Sequence, residues 1–225
     1  DLIHSFVDNL IKKLFALQNE FISADLEQRK IIYNNNRKLY NSLKNKSCEN
    51  NELEIASLFI FLNKTCFNGL YRVNKNGDFN VPMGSYKNPL ICDEFNLKKS
   101  SSLLKNVKII CGDYSRCIDY INDETFVYID PPYRPLTQTS SFTSYSAKVF
   151  DDKEQIRLAD FINIISRKGA IVVASNSDPQ NADENDMFFD NLYRNYSIKR
   201  IQAKRAINSK SEGRGNVSEL LISNF

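Results

Sequence analysis

Six consecutive residues in the middle of the chain carry groups that could act together on one planar ligand. Tyr128-Ile129-Asp130-Pro131-Pro132-Tyr133 follows a short apolar run that predicts a β-strand. In open α/β sheets, ligands bind at the carboxyl ends of the strands, where this segment would lie. The prolines restrict the turn, and Pro131 has no backbone N–H to donate. The segment can therefore hold a carboxylate, a carbonyl oxygen and an aromatic ring in a fixed arrangement.

This arrangement suits chemistry at the exocyclic amine of a nucleobase. The lone pair of adenine N6 is delocalised into the ring, so the amine is a weak nucleophile. Acceptors that take its two N–H bonds favour a tetrahedral nitrogen, and an aromatic ring can stack on an extruded base. The alternative is a strand followed by a proline turn with a capping aspartate. Asp-Pro-Pro alone favours that alternative, whereas the preceding strand and the following tyrosine favour the chemical role.

A second aspartate also follows an apolar run. Residues 107–111 predict a strand, and Asp113 and Tyr114 come directly after it. A carboxylate at that position can accept a hydrogen bond from the amine of a bound ligand. It can equally cap the helix predicted for residues 114–120. The two roles are compatible, and the sequence leaves both open.

The elements that must position these residues alternate between strand and helix patterns. There are four such β-rich runs. One helical stretch lies between the first two, and a polar loop at residues 205–216 lies between the last two. The strands are predicted at residues 126–129, 170–174, 196–203 and 217–225, and the helix at residues 151–166. Apolar strands separated by helices predict an α/β fold, with a mostly parallel sheet that ends in an antiparallel hairpin.

The first hundred residues follow a different pattern. Apolar residues at spacings of three and four predict a helix with one buried face over residues 2–14, and further helices are predicted at residues 26–43 and 51–63. Residues 65–99 contain Asn-Gly pairs and prolines, which predict a compact loop-and-hairpin insertion. The chain thus combines a helical and turn-rich half with an α/β half.

Bulk composition narrows the class of protein. The chain is 42% hydrophobic and 25% charged, as in soluble globular proteins, and no apolar run approaches the roughly 20 residues of a membrane span. A net charge of +3 is too small to indicate nucleic-acid binding by itself. The five cysteines form no CxxC pair and there is one histidine, so we predict neither a metal site nor a disulfide framework. We expect a cytoplasmic protein.

The residues around Asp130 carry a specific resemblance. Asp130-Pro131-Pro132-Tyr133 resembles the DPPY motif of amino-group methyltransferases that use S-adenosyl-L-methionine. The flanking segments resemble the Dam family of adenine-N6 DNA methyltransferases (class alpha) and its relatives in GATC restriction–modification systems. These segments are Phe61-Leu62-Asn63-Lys64, Phe67-Asn68-Gly69-Leu70-Tyr71-Arg72, Phe79-Asn80-Val81-Pro82, Arg134-Pro135-Leu136, Ser141-Phe142-Thr143-Ser144-Tyr145, Ser175-Asn176 and Ser218-Glu219-Leu220-Leu221. The resemblance covers essentially the whole chain.

The resemblance implies a Rossmann-like methyltransferase fold and roles for the motif residues. Asp130 and the Pro131 carbonyl would accept the N6 hydrogens of a flipped adenine, and Tyr133 would stack on that base, with Pro132 completing the catalytic motif. S-adenosyl-L-methionine would be the cofactor and S-adenosyl-L-homocysteine the product, with no metal. The implied cofactor contacts are Asp113, Tyr114 and Asp130.

The resemblance also implies a target-recognition domain at residues 23–104, with residues 1–22 and 105–225 as the catalytic core. Arg72 would read a guanine through its O6 and N7 atoms, and Leu70 and Pro82 would contact a thymine methyl. The implied DNA contacts are Arg37, Lys64, Asn68, Leu70, Arg72, Asn74, Asn80, Pro82 and Tyr86, of which Arg37, Lys64, Asn74 and Asn80 would hold phosphates. Ser85 stands where the enteric Dam enzymes carry arginine. The alternative is a solvated polar hairpin.

Family members carry a Phe-x-Gly-x-Gly cofactor loop near the amino end, and this sequence has no counterpart. Asp1-Leu2-Ile3 aligns beyond that loop, so we expect the N-terminal part of the core to be missing here, as in a fragment or a chain completed by another polypeptide. Two other readings stay open: methylation of a different planar amine, and site-specific DNA binding without methyl transfer. The expected partners are double-stranded DNA and a cognate restriction endonuclease, with a monomeric protein and no membrane.

Overall fold

Three long helices form where apolar residues recur at spacings of three and four. In the computed structural model, which describes residues 2–44, 51–135, 150–204 and 216–225, they are α1 (Leu2–Ser23), α2 (Leu26–Lys44) and α3 (Glu52–Thr65). The three predicted helices are therefore confirmed, although α1 continues to Ser23, well beyond its predicted end at residue 14. Two sequence features lie outside the described residues: the motif at residues 141–145 and the loop predicted at residues 205–216, apart from Asn216, which begins a strand.

The described chain divides into two compact units, Asp1–Ile110 and Cys111–Phe225. In the first unit, the apolar stripes of α1 and α3 meet in a core that includes Leu14, Leu58 and Phe61. The rings of Phe21 and Phe61 pack edge to face, with centroids 5.5 Å apart. Each such buried side chain contributes about 1.5–3 kcal/mol relative to an exposed one. By packing, α1 thus belongs with the first unit, whereas the family resemblance assigns residues 1–22 to the catalytic core.

The segment after α3 contains the predicted hairpin. Val73 and Phe79 form an antiparallel bridge, and the Gly77 N–H donates to the Asn74 carbonyl at 2.9 Å. Gly77 has a φ of +82°, a conformation that favours glycine. Phe79 and Val81 point into the core of the unit. The hairpin prediction is therefore confirmed.

The end of the predicted loop was wrong, because α4 (Glu94–Leu104) begins before residue 99. Asp93 caps this helix by accepting a hydrogen bond from the Asn96 N–H at 3.1 Å. A capping aspartate satisfies one of the backbone donors at the start of a helix. The local signal for this helix was thus present in the sequence, and the neighbouring prolines and glycines obscured it.

The second unit is built on a four-stranded sheet in the order β1-β2-β4-β3. The strands are β1 (Phe126–Ile129), β2 (Ile171–Ser177), β3 (Ser197–Lys204) and β4 (Asn216–Ser223). β1 and β2 are parallel and are connected through α5 (Asp152–Arg167), while β4 runs antiparallel to both of its neighbours. The α/β fold and the closing hairpin are confirmed. The sheet was predicted to be mostly parallel, whereas one of the three described strand pairings is parallel.

The strand predicted at residues 107–111 is not observed. Within the described ranges, this segment belongs to no sheet. A strand exists only when its backbone groups pair with a neighbour, and a β-rich composition does not supply one. A short helix, α6 (Phe188–Leu192), was not predicted.

Helix α5 packs against the sheet. Its buried residues Leu158, Ile162 and Ile165 pack in one core with Val172 and Ala174 of β2. The Asp151 carboxylate caps the helix by accepting from the Lys153 and Glu154 N–H groups, both at 3.1 Å. Near the start of α5, Gln155 hydrogen-bonds to Pro132, which follows β1, and to Asn176 at the end of β2. Across the described ranges, no helix is both long enough and apolar enough to traverse a bilayer.

Candidate active site

Asp130 follows directly after β1 and is held by the neighbouring strand. Since Ile129 pairs with Ala174 in the parallel register, the next residue of β2, Ser175, comes beside Asp130. The Ser175 hydroxyl donates to Oδ1 of Asp130 at 2.9 Å, and its oxygen accepts from the Tyr128 hydroxyl at 3.3 Å. Ser175 is buried, whereas Asp130 is exposed. The Asp130 carboxylate is therefore held by a buried hydrogen-bond donor while it remains exposed to solvent.

Tyr133 lies half-buried on the same turn. Burial raises the pKa of its hydroxyl, and a hydrogen bond with Ser175 opposes that shift. The hydroxyl is therefore neutral at physiological pH. The side chain can act as an aromatic surface with one polar end.

The backbone of the turn is held by two buried amide side chains. Oδ1 of Asn176 accepts from the Arg134 N–H at 3.1 Å, and Nδ2 of Asn176 donates to Oε1 of Gln155 at 3.1 Å. Nε2 of Gln155 donates to the Pro132 carbonyl at 3.1 Å. Ser177 completes the set by donating its hydroxyl to the Arg134 carbonyl at 2.6 Å. Sequence analysis missed Gln155 and Ser177, and noted Asn176 only as part of the resemblance.

Arg134 anchors the turn through its side chain. Its Nε lies 2.7 Å from Oδ1 of Asp152, and its Nη1 lies 2.6 Å from Oδ2 of Asp186. Its Cζ lies 4.4 Å from the centre of the Phe188 ring. The hydrogen bond with Arg134 lowers the pKa of Asp186, and the hydrogen bond with Asp152 raises the pKa of Arg134. Arg134 and Asp186 are therefore both charged at neutral pH.

A cavity of about 720 Å³ adjoins Asp130 within the second unit. Its volume lies in the range of small-molecule sites, about 300–1,000 Å³. It is mostly apolar, with carboxylates from Asp113, Asp130 and Glu154. The remaining lining residues are Gly112, Tyr114, Cys117, Ile121, Val127, Tyr128, Ile129, Pro131, Pro132, Phe150, Arg157, Leu158 and Phe161. The structure thus brings all the predicted catalytic and cofactor residues except Tyr133 to the wall of one cavity.

Asp113 has partners within the protein. Its carboxylate caps the short 3-10 helix Tyr114–Tyr120 by accepting from the Ser115 N–H at 3.0 Å. It also accepts from both terminal nitrogens of Arg157, at 3.2 and 2.8 Å. The hydrogen bonds from Arg157 hold the pKa of Asp113 well below its usual range. The capping role is confirmed, and cofactor contact stays a prediction.

Tyr114 packs between the ring of Phe161, 5.2 Å away between centroids, and the guanidinium of Arg157, whose Cζ lies 4.5 Å from the Tyr114 centroid. Among the described residues, its buried hydroxyl oxygen has no hydrogen-bond partner. Buried polar atoms are seldom left without a partner. A polar group of a bound ligand is one way to satisfy this hydroxyl.

In the first unit, Arg72 lies exposed on the hairpin beside Asn80. Its Nε donates to Oδ1 of Asn80 at 2.8 Å, and its Nη2 donates to the Asn80 carbonyl at 3.3 Å. Two residues predicted to touch DNA are thus neighbours across the hairpin. The Asn74 carboxamide oxygen instead accepts from the Asn76 and Asp78 N–H groups, both at 2.9 Å, and so shapes the turn.

Polar side chains along helix α2 form hydrogen bonds with the backbone of the hairpin. Tyr33 and Arg37 donate to the Val81 carbonyl at 2.8 and 3.2 Å. Asn41 both donates to and accepts from the Phe79 backbone, at 3.1 and 2.8 Å. Lys44 donates to the Gly77 carbonyl. Arg37 therefore has a structural role, whatever its contact with phosphate.

The other predicted DNA contacts lie around the same segment. Lys64, Asn68, Pro82 and Tyr86 are exposed, and Leu70 is half-buried. Asn68 has a φ of +53°, in the left-handed region that asparagine tolerates better than most residues. These residues are available at the surface of the first unit, and their contact with DNA stays a prediction.

Comparison with known proteins identifies the class. Residues 1–207 match the family of D12 class N6 adenine-specific DNA methyltransferases, and the chain belongs to this family of enzymes. It is 51% identical over 225 residues to the type II methyltransferase M.MjaIII of Methanocaldococcus jannaschii, covering 100% of this chain and 75% of the relative.

Two further relatives are more distant. The type II methyltransferase M1.LlaDCHI of Lactococcus lactis subsp. cremoris is 40% identical over 176 residues, 77% of this chain and 60% of the relative. A DNA adenine methylase of Vibrio cholerae is 33% identical over 190 residues, 84% of this chain and 66% of the relative. The chain thus spans between 60% and 75% of the length of these three proteins.

Proposed function

We propose that this chain carries the catalytic turn and the target-recognition segment of an enzyme that methylates adenine N6 in double-stranded DNA. The proposed methyl donor is S-adenosyl-L-methionine, and the proposed site is GATC. The observation that carries the proposal is the Asp130 carboxylate, fixed by Ser175 at 2.9 Å on the wall of the cavity. We assign residues 23–104 to target recognition and the rest of the chain to the catalytic core.

The cavity suits a nucleoside cofactor in three respects. Its volume is about 720 Å³, its walls are mostly apolar, and its polar edge carries carboxylates that could accept from amine and hydroxyl groups. The Tyr114 hydroxyl, which has no hydrogen-bond partner in the described part of the chain, offers a further polar contact. Asp113 and Tyr114 would hold the adenosine part, and Asp130 would lie near the amino-acid end. When bound, the cofactor supplies a methyl group on positively charged sulfur.

The turn would prepare the target base for attack. With Ser175 on Oδ1 of Asp130, the other carboxylate oxygen can accept one N6 hydrogen, and the Pro131 carbonyl can accept the second. Both acceptors favour a tetrahedral nitrogen, whose lone pair then faces the methyl donor. Stacking on Tyr133 would hold the base, which must leave the duplex to reach the turn.

Recognition would use the exposed hairpin of the first unit. The Arg72 guanidinium is planar and suits the O6 and N7 atoms of guanine, and Leu70 and Pro82 could contact a thymine methyl. Arg37, Lys64, Asn74 and Asn80 would hold the phosphates around it, and Asn68 and Tyr86 would make further contacts with the DNA. By analogy with the type II relatives, we further propose a cognate restriction endonuclease. We also propose a cytoplasmic location and a monomeric enzyme.

The test is transfer of a labelled methyl group by the intact protein to matched substrates. Duplexes with GATC, duplexes with one substituted base pair and an RNA of the same sequence are compared. We expect label on adenine N6 of the GATC duplex only. Label on cytosine or RNA would overturn the substrate, and specific DNA binding without any transfer would overturn the activity.

A further inference from the structure

We propose that the buried pair Gln155 and Asn176 positions the Tyr133 ring, acting on the substrate only through the backbone of the turn. The inference rests on the proposed role of Tyr133 in holding the base. Gln155 touches the carbonyl before Tyr133, and Asn176 touches the N–H after it. The two peptide units that flank Tyr133 are therefore both held.

Holding both peptide units fixes both backbone dihedrals of Tyr133. The Pro132–Tyr133 unit is held through its carbonyl at 3.1 Å, and the Tyr133–Arg134 unit through its N–H at 3.1 Å. Because peptide units are planar, only φ and ψ of Tyr133 could rotate one against the other. The direction in which the Tyr133 side chain leaves the backbone is thus set by two buried amides.

The orientation of each amide follows from its neighbours. Two backbone N–H groups, of Arg134 and Ser177, donate to Oδ1 of Asn176 at 3.1 and 2.9 Å. This leaves the Asn176 amino group to face Oε1 of Gln155, which in turn directs the Gln155 amino group to Pro132. A donor therefore reaches the Pro132 carbonyl only when the whole chain of bonds is intact.

The burial of Gln155 and Asn176 indicates that their hydrogen bonds are the reason for polar residues at these positions. Gln155 is 0% exposed and Asn176 is 3% exposed. On the buried face of α5, the other members are apolar, and they are Leu158, Ala159, Phe161, Ile162 and Ile165. A buried amide without partners is costly, so a glutamine here is favoured only where both of its ends are bonded. Gln155 meets this condition through Asn176 and Pro132.

The first experiment replaces Gln155 by leucine, which keeps similar bulk and removes both hydrogen bonds. In the intact protein, we expect kcat for GATC methylation to fall by about tenfold or more, with little change in KM for DNA. The matched control is Gln202→Leu at an exposed glutamine of β3, where kcat should be unchanged. A wild-type kcat in a folded Gln155→Leu protein would overturn the inference.

A double substitution separates positioning from general stability. If the pair acts through the ring, Gln155→Leu should reduce kcat in the wild type but much less in a Tyr133→Ala background. Losses that multiply in full would overturn the inference. Activity in Asp130→Ala would instead overturn the proposed function, so the two failures are distinguishable.

A conservative variant tests the donor itself and covers the case in which leucine prevents folding. In Gln155→Glu, the ionised carboxylate still accepts from Asn176 but cannot donate to the Pro132 carbonyl. When protonated, it can donate again, and burial favours the protonated form. We expect kcat of Gln155→Glu, relative to wild type, to rise as the pH falls. A ratio that does not change with pH would contradict the assignment.

Discussion

The two units of this chain use polar side chains in opposite ways. In the second unit, Ser175, Asn176 and Ser177 are buried at the end of β2, and each is bonded to the turn that carries Asp130. In the first unit, Arg72, which we propose reads a base, is exposed, and its two side-chain hydrogen bonds are to Asn80 across the hairpin.

The difference follows from what each task requires. A group that stabilises a transition state must hold its position before the substrate arrives, and buried hydrogen bonds provide that order. A group that reads a base edge must exchange one partner for another. An exposed pair such as Arg72 and Asn80 is screened by water and can be exchanged at low cost. Substitutions in the second unit should therefore reduce turnover, and those on the hairpin should change selectivity.

The sharpest test of the comparison is Asp130→Ala. It removes the carboxylate that we propose accepts an N6 hydrogen as the nitrogen becomes tetrahedral, and we expect kcat to fall by about 10²-fold or more. DNA affinity should change much less. Methyl transfer and DNA binding are measured side by side, with Asp119→Ala as an exposed aspartate control in the same unit. Turnover within threefold of wild type would refute the role of Asp130.

Two substitutions of Tyr133 distinguish the role of its ring from that of its hydroxyl. Tyr133→Ala should slow methylation strongly, because stacking on a base contributes about 1–3 kcal/mol. Tyr133→Phe keeps the ring and loses only the hydroxyl, so it should retain most of the activity. Single-turnover rates decide between the two. Equal losses in both variants would assign the main role to the hydroxyl.

Arg72→Ala should change selectivity more than turnover on the preferred site. If Arg72 reads a guanine, its loss should cost about 1–3 kcal/mol at one base pair and relax discrimination there. Lys64→Ala should instead weaken all duplexes alike and reduce the salt slope by about one. Binding to cognate and substituted duplexes over a salt series measures both. If Arg72→Ala weakens both duplexes equally, its contact is with phosphate.

The smallest expected effect concerns the ion pair between Arg134 and Asp186, which holds the turn. The hydrogen bond with Arg134 lowers the pKa of Asp186 below its ordinary value of 3.8. A lowered carboxyl pKa stabilises the fold above the ordinary value, and this contribution is lost as the pH falls through the lowered one. Asp186→Asn should therefore lower Tm at pH 7, and the difference should disappear at acidic pH. A difference that persists there would assign the effect to packing.

The sequence by itself determined the elements whose signals are local. Spacings of three and four predicted α1, helices were also predicted where α2 and α3 lie, and Asn-Gly predicted the hairpin turn. The Asp-Pro-Pro-Tyr segment was predicted to follow a strand, and it follows β1. Capping was one of the two roles that the position of Asp113 allowed, and the structure shows it. Each of these depends on neighbours within a few residues, and so composition and spacing suffice.

The tertiary structure decided which distant groups meet. Ser175 reaches Asp130 across 45 positions, and Asp186 reaches Arg134 across 52. Gln155 reaches Pro132 because α5 packs on β2 with that face inward. Residues 107–111 show the converse, since a β-rich run forms no strand where no described strand lies beside it. Register and packing set these contacts, and neither is encoded in the spacing of a single segment.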